Sequence, residues 1–237
     1  MSGDMNTALG NCLIMCALVH AYLKDRGISG SLANNGDDCT VIFEKKDLEK
    51  FQTGLTDWFL EMGFNMKVEK PVFNLEGIEF CQTHPIFVNG GYIMVRNFPK
   101  GLSKDCLSLK ELDQKRVLRS WLMAVGEGGL SLTGGIPVYQ EFYSTLYKLG
   151  TQVQIPRKQG SPRRSPVQTE LTGGLFWLSR GMTRRKQNIS PETRHSFYLA
   201  FGTTPDEQIL LEEFYSTVVW SNEVMELPET QHLPKWC

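Results

Sequence analysis

Asn35-Gly36-Asp37-Asp38 stands between two short β-prone runs, 30–34 and 39–43, and it restricts the local fold more than any other stretch of the 237-residue chain. Asn-Gly is a strong tight-turn dipeptide, because glycine takes backbone angles that other residues resist. The segment therefore predicts a β-hairpin with two carboxylates at its tip. Adjacent aspartates on a rigid turn offer the oxygen ligands that Mg²⁺ prefers, although the same four residues also suit an ordinary solvated turn.

Upstream, the spacing from Thr7 to about Tyr22 predicts a helix. Leu9, Leu13, Cys16, Ala17 and His20 or Ala21 fall near one face, and Arg26-Gly27 supplies a stop. The start of this helix carries Ser2-Gly3, then Thr7, then Asn11, ahead of the paired aspartates. Thr7 and Asn11 are four apart on a helix and share a face, which aims a hydroxyl and an amide at one spot. Such a pair can hydrogen-bond a ribose 2′-hydroxyl, the group that separates RNA from DNA precursors. Thr7 by itself also suits helix capping.

Downstream, Leu48, Phe51, Leu55, Trp58, Phe59 and Met62 repeat at helical spacing across 47–62, and Gly63 can take the left-handed conformation that ends a helix. The stretch 64–69 predicts a strand. A meander follows over 78–82, 86–88 and 92–96, with Thr83-His84-Pro85 and Asn89-Gly90-Gly91 as turns. After Pro99 the character changes, and 109–125, 138–149, 191–201 and 205–220 predict helices. Ser190-Pro191-Glu192 and Thr204-Pro205-Asp206-Glu207 each put a capping hydroxyl before a proline at the first helical position. A boundary near 97–103 then separates a mixed α/β part, 1–99, from a helical part, 100–237.

The net charge of −1 does not mark a nucleic-acid binder, so any such role rests on local charge. That charge exists within a Gly-, Pro-, Ser- and Arg-rich loop near 151–188. Between 157 and 186 the chain holds Arg157, Lys158, Arg163, Arg164, Arg180, Arg184, Arg185 and Lys186 against Glu170 alone, a local charge of +7. This loop suits contacts to an RNA backbone, with Phe176 and Trp177 as stacking partners, and equally a solvated loop whose 175–178 patch is core. The six cysteines show no Cys-x-x-Cys and no histidine pair at ligand spacing, which disfavours a zinc cluster or disulfide framework and favours reduced, mostly buried thiols. The longest unbroken apolar run, 12–19, falls short of the roughly 20 residues of a membrane span, so no transmembrane segment is expected. A polar stretch at 1–6 leads straight into an apolar helix with nothing before it to cover that helix, which predicts a truncated chain.

Ser2-Gly3-Asp4-Met5-Asn6-Thr7-Ala8-Leu9-Gly10-Asn11 resembles motif B of positive-strand RNA virus polymerases, and Asn35-Gly36-Asp37-Asp38 resembles motif C. The run from Met62 to Glu69 is similar to motif D, and Glu79-Phe80-Cys81-Gln82 to motif E; the wording is closest to the tombusvirus and carmovirus group. The resemblance implies an α+β fold, a partial polymerase palm of antiparallel hairpin sheet with helices, followed by a mainly helical thumb. It implies RNA-directed RNA polymerase activity, the transfer of a nucleotide from a nucleoside triphosphate to an RNA 3′-hydroxyl on an RNA template, with Mg²⁺ or Mn²⁺ as cofactor. Asp37 and Asp38 would be the catalytic and metal-binding residues, and Asn11 would read the ribose with support from Thr7. Ser2 and Gly3 would form a substrate loop. Lys67, or else Lys70, would protonate the pyrophosphate leaving group, though a solvated lysine is the other reading. Glu79 to Gln82 would grip the nascent 3′ end. Arg157, Lys158, Arg163, Arg164, Arg184 and Arg185 would contact RNA.

The partners implied are RNA template and product, nucleoside triphosphates, a missing N-terminal polymerase region and other viral replicase proteins. The implied location is host cytoplasm, at membrane-associated replication complexes. The family's upstream Asp-x-x-x-x-Asp strand does not occur in the sequence, so 1–237 by itself is expected not to polymerise. The alternative is a non-catalytic RNA-binding or replicase-interaction module in which the paired aspartates are vestigial.

Overall fold

The structure, a computed structural model, describes residues 6–108, 111–153 and 180–219. It is α+β, with helices and two two-stranded antiparallel sheets. The chain divides into two compact units, Met1–Thr83 and His84–Cys237.

In the first unit, α1 (Thr7–Asp25) is followed by the hairpin β1 (Gly30–Asn35) and β2 (Asp38–Phe43). As expected, α1 ends at Arg26-Gly27: Gly27 has φ +57°, and Ile28 N–H donates back to the Leu23 carbonyl. The hairpin register pairs Gly30 with Phe43 and closes on Asn35 opposite Asp38, so the strands run one residue nearer the tip than their β-prone runs suggest. The core of this unit comprises Met15, Val19, Tyr22, Leu23, Ile28, Leu55 and Phe59. The buried face of α1 is therefore not the Leu9–Leu13–Cys16–Ala17 face: Leu9 is 65% and Leu13 61% exposed. The aromatic ring of Tyr22 decides the orientation, packing edge-on to Phe51 and Trp58 while its hydroxyl donates to the Phe51 carbonyl.

The helix expected over 47–62 is broken in two. A 3-10 turn (Lys45–Asp47) leads into α2 (Leu48–Gln52); Gly54, at φ +71°, reverses the chain, and α3 (Leu55–Glu61) follows. Phe64 N–H donates to the Phe59 carbonyl across Gly63 at φ +86°, the helix stop read from the sequence. The stretch 64–69 forms no strand. Among the described residues it has no strand to pair with, and Phe64 and Val68 stay exposed despite their alternation.

In the second unit β3 (Thr83–Val88) and β4 (Gly91–Arg96) form a hairpin around Asn89-Gly90, both at positive φ. Thr83-His84-Pro85 lies within β3 and is not a turn. The reversal before β3 occurs instead at Cys81-Gln82, and 78–82 contributes only an isolated bridge from Phe80 to Thr83. Among the described residues five helices follow: α4 (Phe98–Asp105), which the sequence reading did not anticipate, α5 (Lys115–Thr133), α6 (Tyr139–Gln152), α7 (Pro191–Phe201) and α8 (Pro205–Thr217). Ile86, Val88 and Val95 share one core with Phe98, Tyr139, Tyr143, Phe197 and Leu211, so the hairpin packs with these helices.

Helix α5 continues past Val125 through Gly126, Gly128 and Gly129, because those glycines let α6 approach. A Cβ at Gly126 would lie 2.5 Å from the Tyr147 backbone nitrogen, and one at Gly129 2.2 Å from the Tyr143 ring. Both expected caps form. Ser190 accepts from Thr193 N–H, and Thr204 with Glu207 makes a reciprocal capping box. Val138 sits at φ +64°, an unfavourable angle for a β-branched residue, and its N–H donates to Glu212, which Arg194 grips with both guanidinium nitrogens.

By length and composition the 19-residue α1 is apolar enough to cross a membrane, which the shorter unbroken run 12–19 had not suggested; the polar residues that interrupt that run leave the helix apolar as a whole. The cysteines also depart from expectation. Of the five described, Cys16 and Cys106 are exposed, Cys12, Cys39 and Cys81 are half-buried, and none is in a disulfide. They lie on the hairpin, near its tip and on the outer faces of helices, where small soft side chains fit without full enclosure.

Candidate active site

The hairpin tip lies against the opening turns of α1. Gly36 has φ +74°, and its N–H donates to Cys12 Sγ at 3.1 Å. A Cβ on Gly36 would sit 4.0 Å from the Asn11 Cβ, ordinary van der Waals contact. Positive φ at Gly36 and not at Asp37 is the pattern of a II′ hairpin turn, which puts glycine first and leaves the next side chain pointing off the tip. The structure thus places Gly36, the residue before Asp37, beside Asn11 and Cys12 of α1.

The two carboxylates differ. Asp37 is exposed and forms no side-chain hydrogen bond with a described residue, whereas Asp38 is half-buried and its Oδ2 accepts from Cys81 N–H at 2.8 Å. Neither makes an ion pair among the described residues. A pair of hard oxygen donors without a competing cation fits Mg²⁺ or Mn²⁺, and the remaining positions of such an ion would go to water, phosphate and further carboxylate. No cluster of three or more metal-ligating side chains occurs among the described residues. Beside them, burial and then the charges of Asp38 and Asp37 push the Cys39 thiol up.

Thr7 and Asn11 lie one turn apart on α1, with Asn11 exposed and Thr7 half-buried. The N-cap is Asn6, so Thr7 is the first helical residue and does not cap. Lys67 is exposed on the irregular stretch 64–70 and has no hydrogen bond or ion pair to the tip. Ser2, Gly3, Arg157, Lys158, Arg163, Arg164, Phe176 and Trp177 lie outside the described residues. Arg184 is partly committed, since its Nε donates to the Gly134 carbonyl, while Arg185 is exposed.

Cys12 escaped the sequence reading, and Cys81 entered it only within the segment 79–82, not as a contact of the tip. Cys12 follows Asn11 directly, so the helical position that aims Asn11 at the tip carries the thiol with it. Nothing in the sequence marks Cys81 as a contact of Asp38.

Comparison with known proteins identifies the family. The family described as viral RNA dependent RNA polymerase matches residues 1–223. Among curated relatives, the RNA-directed RNA polymerase of tobacco necrosis virus (strain A) is 50% identical over 92% of this chain, and that of oat chlorotic stunt virus 45% identical over 92%. The tomato bushy stunt virus (strain Cherry) polymerase is 44% identical over 90%. The chain spans 29% of the length of the first two and 25% of the third. A match across almost the whole sequence, with the paired aspartates and Asn11 inside it, means that this chain belongs to the viral RNA-dependent RNA polymerase family.

Proposed function

We propose that the polypeptide carrying this segment is an RNA-directed RNA polymerase that replicates viral RNA by joining nucleoside triphosphates to an RNA 3′-hydroxyl on an RNA template. The observation that carries this reading is the packing of the Gly36-Asp37-Asp38 tip on α1 beside Asn11. A divalent cation bound there, Mg²⁺ or Mn²⁺, neutralises charge on the reacting phosphates. Asp37 and Asp38 hold that cation from one side. Gly36, lacking a side chain, leaves the approach over the turn open.

Asn11, supported by Thr7, donates to or accepts from the ribose 2′-hydroxyl, so that sugar identity is read within reach of the metal-binding tip. Ser2 and Gly3 belong to the loop before it. Lys67 reaches the leaving pyrophosphate once substrates are bound, and its exposed position leaves its side chain free to move. Arg157, Lys158, Arg163, Arg164, Arg184 and Arg185 contact RNA phosphates. In this reading residues 1–99 are palm, 100–237 are thumb, and a second source of carboxylates comes from an upstream polymerase region. The complex assembles with other replicase proteins on host membranes.

The test is Asn11→Ala in a polymerase containing this segment. Selection for ribonucleotides over deoxyribonucleotides is expected to fall by about one to two orders of magnitude, the equivalent of one or two hydrogen bonds. Unchanged selection would overturn the assignment. An Asp37→Asn enzyme that extends primers normally would remove Asp37 from the cation site.

A further inference from the structure

The turn Phe80–Thr83 carries an unusual conformation. Phe80 and Thr83 exchange backbone hydrogen bonds of 2.9 and 3.0 Å, and the two residues between them, Cys81 at φ +52° and Gln82 at φ +58°, are both left-handed without being glycine. Two consecutive left-handed residues are the signature of a I′ turn, a place normally given to Asn-Gly. Non-glycine residues persist there only when their surroundings hold them, and such sites concentrate where function demands a fixed geometry.

What holds Cys81 is the hairpin tip. Its backbone N–H donates to Asp38 Oδ2 at 2.8 Å, and its Sγ accepts from Asn35 Nδ2 at 3.1 Å. Asn35 and Asp38 are the opposed pair that closes the β1–β2 hairpin. One residue thus touches both sides of the closing pair, with Gly36 and Asp37 between them. A hydrogen bond from a backbone amide to a carboxylate is charge-assisted and directional, so it selects one orientation of a side chain that otherwise samples several rotamers.

We propose that Cys81 is a positioning residue for the cation site, orienting Asp38 through its backbone N–H and bracing the hairpin closure through its thiol. This rests on the reading of Asp37 and Asp38 as cation ligands. It assigns different work to the two aspartates. Asp38 has Oδ2 committed to Cys81 and presents Oδ1 alone, whereas Asp37 keeps both oxygens for the ion. The left-handed turn exists to aim the amide. A relaxed right-handed or extended Cys81 would point its N–H away from the carboxylate.

The experiment uses chain 1–237, with Mn²⁺ as the probe and amide signals followed by NMR. Paramagnetic broadening is expected at Asp37 and Asp38, and it should vanish in Asp37→Asn. In the unaltered chain, exchange of the Cys81 amide proton should be slow, and Asp38→Ala should accelerate it. Replacing residue 81 by the corresponding α-hydroxy acid turns the amide into an ester, which removes the donor and weakens the Phe80 carbonyl as the acceptor for Thr83. This change should weaken Mn²⁺ binding about tenfold, as loss of an outer-shell partner does at metal sites. Cys81→Ser retains the amide and an acceptor for Asn35 and should bind within about twofold of the unaltered chain. Gln82→Gly relaxes the turn while keeping both contacts, and Mn²⁺ binding should persist, which separates positioning from general stability.

An ester variant that keeps its fold and full Mn²⁺ affinity overturns the proposal while the cation reading stands. A tip that shows no Mn²⁺-dependent broadening in the unaltered chain, or one indifferent to Asp37→Asn, overturns the cation reading and the proposal with it.

Discussion

Replacing Gly126 with alanine isolates the packing of α5 on α6. An added Cβ would lie 2.5 Å from Tyr147 N, 2.7 Å from the Tyr143 carbonyl oxygen and 2.9 Å from Tyr147 Cα, all backbone atoms that no rotamer change can move. Ordinary contact begins at 3.4 Å, so the helices must part by about 1 Å, a gap that forfeits a quarter to a half of the dispersion energy of each facing pair. Overpacking of this kind costs about 1–3 kcal/mol, and the blocked backbone puts this site near the upper end. Alanine in place of glycine within a helix returns about 1 kcal/mol. The net expectation is a loss of about 2 kcal/mol.

Gly10→Ala is the control. Gly10 lies inside α1 with nothing within 4 Å of its added Cβ, so only the helical gain of about 1 kcal/mol applies. Urea titrations followed by circular dichroism, with hydrogen exchange across α5 and α6 to localise the effect, measure both. A Gly126→Ala chain as stable as the unaltered one would falsify the claim that these glycines exist to admit α6.

Arg194→Ala should destabilise by about 3 kcal/mol in the same titrations, because it strands the largely enclosed Glu212 carboxylate; a change under about 1 kcal/mol would mean that the pair is solvated. Thr204→Ala removes the hydroxyl of the capping box and should cost about 1 kcal/mol, seen as faster exchange in the first turn of α8; uniform exchange along the helix would contradict it. Burial pushes the Tyr143 phenol well above its ordinary value of 10.0, assisted by the neighbouring Asp105 carboxylate. Below about pH 10 the phenol is protonated folded or unfolded. Above that, only the unfolded chain releases its proton readily, so stability should decline with rising pH. Tyr143→Phe should flatten that alkaline decline, and an unchanged profile would assign it elsewhere.

The tip was legible because glycine and paired aspartates dictate a turn whatever surrounds them, and Asn11 was legible because four residues of helix fix a face. The caps at Ser190 and Thr204 were legible for the same local reason. What escaped notice depended on distant partners. Leu9 and Leu13 mark an apolar face, yet Tyr22 and its aromatic neighbours turn α1 the other way. Gly126, Gly128 and Gly129 suggest a helix end until α6 lies against that stretch. The alternation of 64–69 has the form of a strand without a partner to pair with, and Gly54 splits a helix whose apolar spacing runs straight through. Cys81 and Gln82 carry no residue-type signal for left-handed backbone, since Asp38 and Asn35 compel the conformation from outside the turn.

Val138 has a consequence for the order of events during translation. Its N–H reaches Glu212 across 74 residues, and Arg194 holds that carboxylate in place. A β-branched residue at φ +64° is held against a penalty of about 1–3 kcal/mol. While the ribosome is still making α8, nothing offsets that penalty, so the corner between α5 and α6 stays free to relax. The last described helix therefore acts as a latch, and a nascent chain stalled before residue 212 should keep that corner open to protease.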